Sequence, residues 1–242
     1  MIEKYLNKIT CGDSYKLIKE LPDKSVDCIY TDIPYLIESG GGGYSELSKR
    51  ITKINKEDLK DIVDGINYDI LKDFVRVMKK INCFIWCSKK QLLDIMKFFI
   101  DGYNCSFELL TWNKTNPTPA TNNVWLPDIE YCLYFRDYGV KLNDGYELKS
   151  KWYDSTINKR DKDLFNHPTI KPLELVKRHL LHTTQTNDIV LDTFMGSGTT
   201  AVACKDLGRQ YIGFEISQKW CKVANDRLNQ INANGQYSIF LM

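Results

Sequence analysis

The chain has 242 residues, 43% of them apolar and 26% charged, so it can bury a sizeable core and does not have the composition of a disordered polymer. A net charge of +2 excludes a globally basic nucleic-acid binder and leaves only a local basic groove open. No run approaches the roughly 18 apolar residues of a bilayer span, and the opening Met1-Ile2-Glu3-Lys4-Tyr5 lacks the apolar core of a signal peptide, so a cytoplasmic protein without membrane contact is expected.

In chain order, the pattern predicts a strand from Leu6 to Asp13, a helix from Ser14 to Leu21, and a strand from Val26 to Thr31 that runs into a proline loop. Residues 36–56 read as a flexible loop around Gly40–Gly43, whose place after that strand fits a mobile lid. Apolar spacing from Leu59 to Met78 predicts one helix over Glu57 to Lys80, weakened at Gly65. A strand at Cys83–Cys87, a helix from Gln91 to Ile100, and strands at Phe107–Trp112 and Ile129–Phe135 follow. Periodicity then disappears from Arg136 to Asn166. It returns with a helix from Leu173 to Leu181, a strand at Ile189–Asp192, a helix from Thr199 to Leu207, a strand at Tyr211–Glu215 and a helix from Gln218 to about Asn232. The final run 237–241 fits an edge strand or an oligomer contact, which leaves a homodimer open. Such alternation is that of an α/β domain with a mostly parallel sheet flanked by helices, here one domain over 1–242. The eight cysteines form no Cys-x-x-Cys pair and are expected to be reduced, packed thiols rather than metal ligands.

Two segments carry chemistry. Ile189-Val190-Leu191-Asp192 leads into Thr193-Phe194-Met195-Gly196-Ser197-Gly198-Thr199-Thr200, a strand, a glycine turn and a helix start. Glycines let the backbone approach a ligand, and the helix start offers free N–H groups. Glu215 ends the next strand, where a carboxylate can accept from two ribose hydroxyls. Gly196-x-Gly198-x-x-Ala201 also fits a relaxed dinucleotide fingerprint, so an NAD enzyme stays open at this point. Only a short stretch follows Ala201, however, so the sheet must be completed by strands that come earlier in the chain, an order uncommon among dinucleotide enzymes. A phosphate-binding P-loop is excluded, because no Gly-Lys-Ser/Thr follows.

The other segment is Asp32-Ile33-Pro34-Tyr35, at the end of the strand from Val26. Taken alone it is compatible with a simple turn. It also suits a planar exocyclic amine, whose lone pair is delocalised into its ring: the Asp32 carboxylate and the Ile33 carbonyl can each accept one N–H and free the lone pair for in-line attack. Pro34 biases Ile33 to an extended conformation, and Tyr35 offers a face on which a flipped base can stack.

With Leu109-Leu110-Thr111-Trp112-Asn113-Lys114 and His167-Pro168-Thr169-Ile170-Lys171-Pro172 between them, these segments resemble those of the amino-methylating (N4/N6) DNA methyltransferases of permuted, β-type order, in which the tetrad precedes the glycine loop. The resemblance covers nearly the whole chain. It implies a circularly permuted Rossmann-like fold that uses S-adenosylmethionine and no metal, and transfer of a methyl group to N6 of adenine in double-stranded DNA after base flipping, in a restriction–modification setting. The alternatives are cytosine N4, RNA, a protein amide, or a non-catalytic DNA-binding module. The resemblance makes Asp32, Ile33, Pro34 and Tyr35 catalytic and places Asp13 beside the cofactor adenine. It puts Thr169 and Lys171 near the methionine end, and Asp192, Phe194, Gly196, Ser197, Gly198, Thr199, Thr200 and Glu215 around the rest. His167 reads more readily as a packed histidine than as a proton shuttle.

Ile33 stands where the family has proline and Ile170 where it has Gln. Asp, rather than Ser, at the first tetrad position resembles the adenine-directed members. Residues 137–166 match the position of a target-recognition insertion, but the segment is short and mixes lysines with acids, which suits a solvated loop as well as a DNA contact.

Overall fold

A computed structural model describes residues 2–36, 65–117, 119, 125–157 and 170–229. The expectations for Gly40–Gly43, His167, Thr169 and 237–241 lie outside these residues.

Among the described residues the core is an eight-stranded sheet: β1 (Lys8–Cys11), β2 (Cys28–Asp32), β3 (Asn82–Cys87), β4 (Ser106–Lys114), β5 (Ile129–Arg136), β6 (Trp152–Ser155), β7 (Ile189–Asp192) and β8 (Gln210–Glu215), in the order β1-β8-β7-β2-β3-β5-β4-β6. The pairs β1·β8, β8·β7, β7·β2, β2·β3 and β4·β6 are parallel, and only β5 runs against its neighbours. Strands β2 and β7 meet as Cys28↔Val190 and Ile29↔Leu191, so two ends of the chain form the centre of the sheet.

The helices are α1 (Ser14–Leu17), continued by a 3₁₀ turn at Ile18–Glu20, then α2 (Ile70–Val77), α3 (Leu92–Tyr103), α4 (Leu173–Thr183), α5 (Thr199–Asp206) and α6 (Gln218–Asn229). Period-two alternation divides β3 between two layers. Cys83, Ile85 and Cys87 pack with Ile18, Ile70, Phe74 and Phe99 on the α1–α3 side, whereas Phe84 and Trp86 pack with Val176, Leu180, Ala203 and Leu228 on the α4–α6 side. Strand β3 is buried throughout, which is why it reads as a continuous apolar run. Seven of the eight thiols are buried, and Cys11 is exposed.

The structure corrects two expectations. The helix predicted over Glu57 to Lys80 is, among described residues, only Ile70–Val77; Gly65 has φ +74° and Asn67–Asp69 form a turn ahead of it. The buried Ile70, Leu71, Phe74 and Val77 alone sustain its apolar face. The aperiodic stretch after Arg136 contains β6, which pairs with β4 through Thr111↔Trp152 and its neighbours. Four residues with alternating half-exposed positions are too short a pattern to announce an edge strand. No described helix is long and apolar enough to cross a membrane.

Candidate active site

The described candidate residues gather at one edge of the sheet. Asp13 follows β1, Asp32 ends β2, Asp192 ends β7 and Glu215 ends β8, all at the carboxyl ends of parallel strands. From β7 the chain continues to β8 on one side, while β2 neighbours β3 on the other, so the strand order reverses between β7 and β2, where open α/β sheets bind ligands. Hydroxyls of Thr31 and Thr193 meet there at 3.2 Å, and Ser14 Oγ donates to the Thr193 carbonyl.

The glycine loop is held from behind. Gly196 and Gly198 have φ of +53° and +83°, and a Cβ on Gly198 would lie 2.9 Å from the Ala224 Cβ of α6. Gly196 N donates to Glu215 Oε2 at 2.7 Å, and Ser217 N to Oε1 at 2.9 Å. Asp192 accepts from Phe194 N at 3.1 Å and from Thr200 Oγ1 at 2.6 Å. Buried Arg227 on α6 donates to Thr199 Oγ1 at 2.9 Å and to the Ser197 carbonyl at 3.3 Å. Asp13 caps α1 by accepting from Tyr15 N at 2.9 Å.

Burial raises the Asp192 carboxyl to about 7 from 3.8, against the lowering effect of its hydrogen bonds from Thr200 and Phe194. Between these values the folded chain holds a proton that the unfolded chain has released, so this group makes stability fall as pH rises from about 4 to 7. Asp192→Asn is expected to flatten that slope, measured as urea midpoints of variant and wild type at pH 4.5 and pH 8.

The tetrad is fixed by groups that sequence reasoning did not single out. Ile33 N donates to the Trp86 carbonyl at 3.1 Å and its side chain is buried in the core, so isoleucine extends the β2·β3 pairing with an N–H that proline lacks. Ile170, in place of Gln, is likewise buried. Buried Gln91 donates to the Pro34 carbonyl at 3.0 Å while its Oε1 accepts from Ser88 N, Ser88 Oγ and Leu36 N. Gln91→Leu leaves these groups without their partner, and a loss of about 2 kcal/mol in urea unfolding is expected.

Lys171, expected at the methionine end of a cofactor, makes its ion pairs beside the tetrad. Its Nζ is 2.5 Å from Asp32 Oδ2 and 2.9 Å from Glu130 Oε2, and it donates to Tyr35 Oη at 3.3 Å. Lys114 Nζ lies 2.6 Å from Glu130 Oε1. The Lys171 ammonium also sits 5.0 Å from the Trp86 ring and 5.6 Å from the Tyr35 ring. Burial raises the Asp32 carboxyl above its usual range, partly offset by Lys171. Burial works the same way on Glu130, but Lys171 and Lys114 outweigh it and hold that carboxyl at about 2. The other oxygen of Asp32, Oδ1, is buried and has no hydrogen-bond partner among the described residues.

Glu130 and Gln91 were legible only as charged or polar residues at the ends of apolar runs, and Lys114 only as the last residue of the family-like segment Leu109–Lys114. The pairing of Glu130 with Lys114 depends on β5 running antiparallel between β3 and β4, which brings the start of β5 to the carboxyl ends of its neighbours.

This geometry can be set against known proteins. The sequence profile of the N6/N4 methylase family, described as DNA methylase, matches residues 26–226. The chain belongs to that family. The methylase is 33% identical to the Type II methyltransferase M2.LlaDCHI of Lactococcus lactis subsp. cremoris, over 90% of this chain and 88% of that protein. It is 30% identical to M2.DpnII of Streptococcus pneumoniae, over 96% of this chain and 94% of that protein. Among solved structures, a complex of M1.HpyAVI with SAM superposes with a TM-score of 0.68 at 26% identity, covering 91% of the methylase and 98% of that chain.

Proposed function

We propose that this DNA methylase transfers a methyl group from S-adenosylmethionine to the N6 amine of adenine in double-stranded DNA. One observation carries the reading: Asp32 presents a buried Oδ1 that has no hydrogen-bond partner among the described residues, while Lys171 holds its Oδ2.

The residues fit the cofactor. The Gly196-Ser197-Gly198 turn leads directly into the start of α5, and the carboxyl groups of Asp192 and Glu215 stand at the ends of adjacent strands. Such a strand-end crevice suits a nucleoside carrying cationic groups. Glu215 is placed to accept from ribose hydroxyls, and Asp192 to hold the loop in shape. Bound there, S-adenosylmethionine supplies an electrophilic sulfonium methyl.

The chain's own residues then prepare the amine. Asp32 Oδ1 accepts one of its N–H bonds and the Ile33 carbonyl the other, so the lone pair points away from both acceptors and toward the methyl group. Gln91 engages the neighbouring Pro34 carbonyl, which fixes the loop that carries Ile33. The target base is flipped from the duplex and stacks on Tyr35, a contact worth about 1–3 kcal/mol. Adenine is preferred over cytosine because the first tetrad residue is Asp, as in the adenine-directed members.

The test is label transfer from methyl-labelled S-adenosylmethionine to duplex DNA, followed by nucleoside analysis. N6-methyladenine is the expected product. N4-methylcytosine would reverse the choice of base, and label confined to RNA or protein would remove DNA as substrate.

A further inference from the structure

We infer that Glu130 is a positioning residue for methyl transfer: with Lys114 it anchors Lys171, and Lys171 in turn fixes the Asp32 carboxylate with Oδ1 turned toward the amine. The inference rests on the proposed role of Asp32.

The four groups come from four places in the fold. Asp32 ends β2, Lys114 ends β4, Glu130 lies near the start of β5, and Lys171 precedes α4. Lys171 bridges the two carboxylates at 2.5 and 2.9 Å, and Lys114 closes on the far oxygen of Glu130 at 2.6 Å. Two acids and two bases alternate as Asp32–Lys171–Glu130–Lys114, so the cluster is neutral. Side-chain exposure falls to 7% at Lys171 and 15% at Glu130 but is 29% at Asp32, the end that faces the crevice. Buried charges of this kind keep one geometry only when each has its partner.

Without Glu130, Lys171 would have Asp32 as its remaining carboxylate partner among the described residues and would be free to swing around it. Asp32 would then lose the fixed direction of Oδ1. Glu130 itself takes no proton in this scheme, because its two lysines hold it ionised. It acts through Lys171, and Lys114 acts through Glu130. A misdirected acceptor costs turnover rather than binding, because misalignment by about 1 Å lowers rates about a hundredfold.

The experiment uses the full chain with duplex DNA and S-adenosylmethionine. Wild-type methylation of DNA establishes the underlying reading, and its absence would sink that reading before any variant is compared. Given wild-type activity, Glu130→Gln is expected to lower kcat ~10–100-fold. The KM for DNA, and S-adenosylhomocysteine affinity by calorimetry, should stay within about twofold.

Lys114→Gln, one contact further from Asp32, should lower kcat several-fold on the wild-type background and hardly at all on Glu130→Gln, since the two act in one chain of contacts. If Glu130→Gln does not fold, Lys114→Gln alone decides, by the same split between kcat and KM. Wild-type kcat in these variants, losses confined to KM or cofactor affinity, or additive effects in the double variant would each overturn the inference.

Discussion

Asp32→Ala is expected to lower kcat about a thousandfold while leaving S-adenosylhomocysteine affinity within a few-fold of wild type, read by single-turnover methylation and by calorimetry. The size follows from the loss of one acceptor aimed at the reacting amine, worth about a hundred- to a thousandfold for a preorganised group, together with poorer alignment of the lone pair. Binding should survive because the groups around the glycine loop, Asp192, Glu215 and Arg227, make their bonds independently of Asp32. The fold should survive as well, since Lys171 keeps Glu130 at 2.9 Å as counterion. Normal methylation by this variant would show that the tetrad assignment is wrong.

The second large effect is expected at Gly198. Its φ of +83° disfavours any L side chain, and an alanine Cβ would meet Ala224 at 2.9 Å and the Ala224 Cα at 3.2 Å. Strain in that backbone region costs about 1 kcal/mol or more, and the clash with α6 adds about 1–3 kcal/mol. Gly198→Ala should therefore unfold about 5–15 °C below wild type. Relief of the clash pushes either the loop or α6 outward. Affinity for S-adenosylhomocysteine should then fall at least tenfold, measured by calorimetry below the unfolding transition. An unchanged melting temperature would mean that α6 does not press on the loop as described.

Much of this fold could be read from the chain. Seven of the eight described strands were expected within a few residues, because most of them, β2, β3, β5, β7 and β8 above all, are runs rich in apolar and aromatic residues with clear ends. Helices α3, α4 and α6 were expected from their apolar faces, and α5 from the glycine turn that precedes it. Strand β6 was not, because its residues are half-exposed and its described pairing is with β4, some forty residues earlier in the chain. Helix α2 was overextended because spacing alone does not register a glycine at φ +74°.

At the site, the glycine loop and tetrad were legible because their chemistry requires particular residues in sequence. The ion-pair chain was not, since Asp32, Lys114, Glu130 and Lys171 lie far apart in the chain and meet only through the order of the strands. Lys171 and Asp32 were each singled out, but not as partners, and Glu130, which completes the bridge, was not.

The union of β2 with β7 has a consequence for how the chain acquires activity during synthesis. Asp27, at the entrance to β2, accepts from Ile189 N, a partner 162 residues later. Closing so long a loop has little to reward it until both ends are present, and folds dominated by such distant pairings form slowly. On the ribosome, β2 therefore emerges with one edge exposed and waits for β7 before its strand-end carboxylate faces a completed crevice. The chain should thus become competent in a single late step, and fragments ending before Ile189 should leave an open strand edge prone to association.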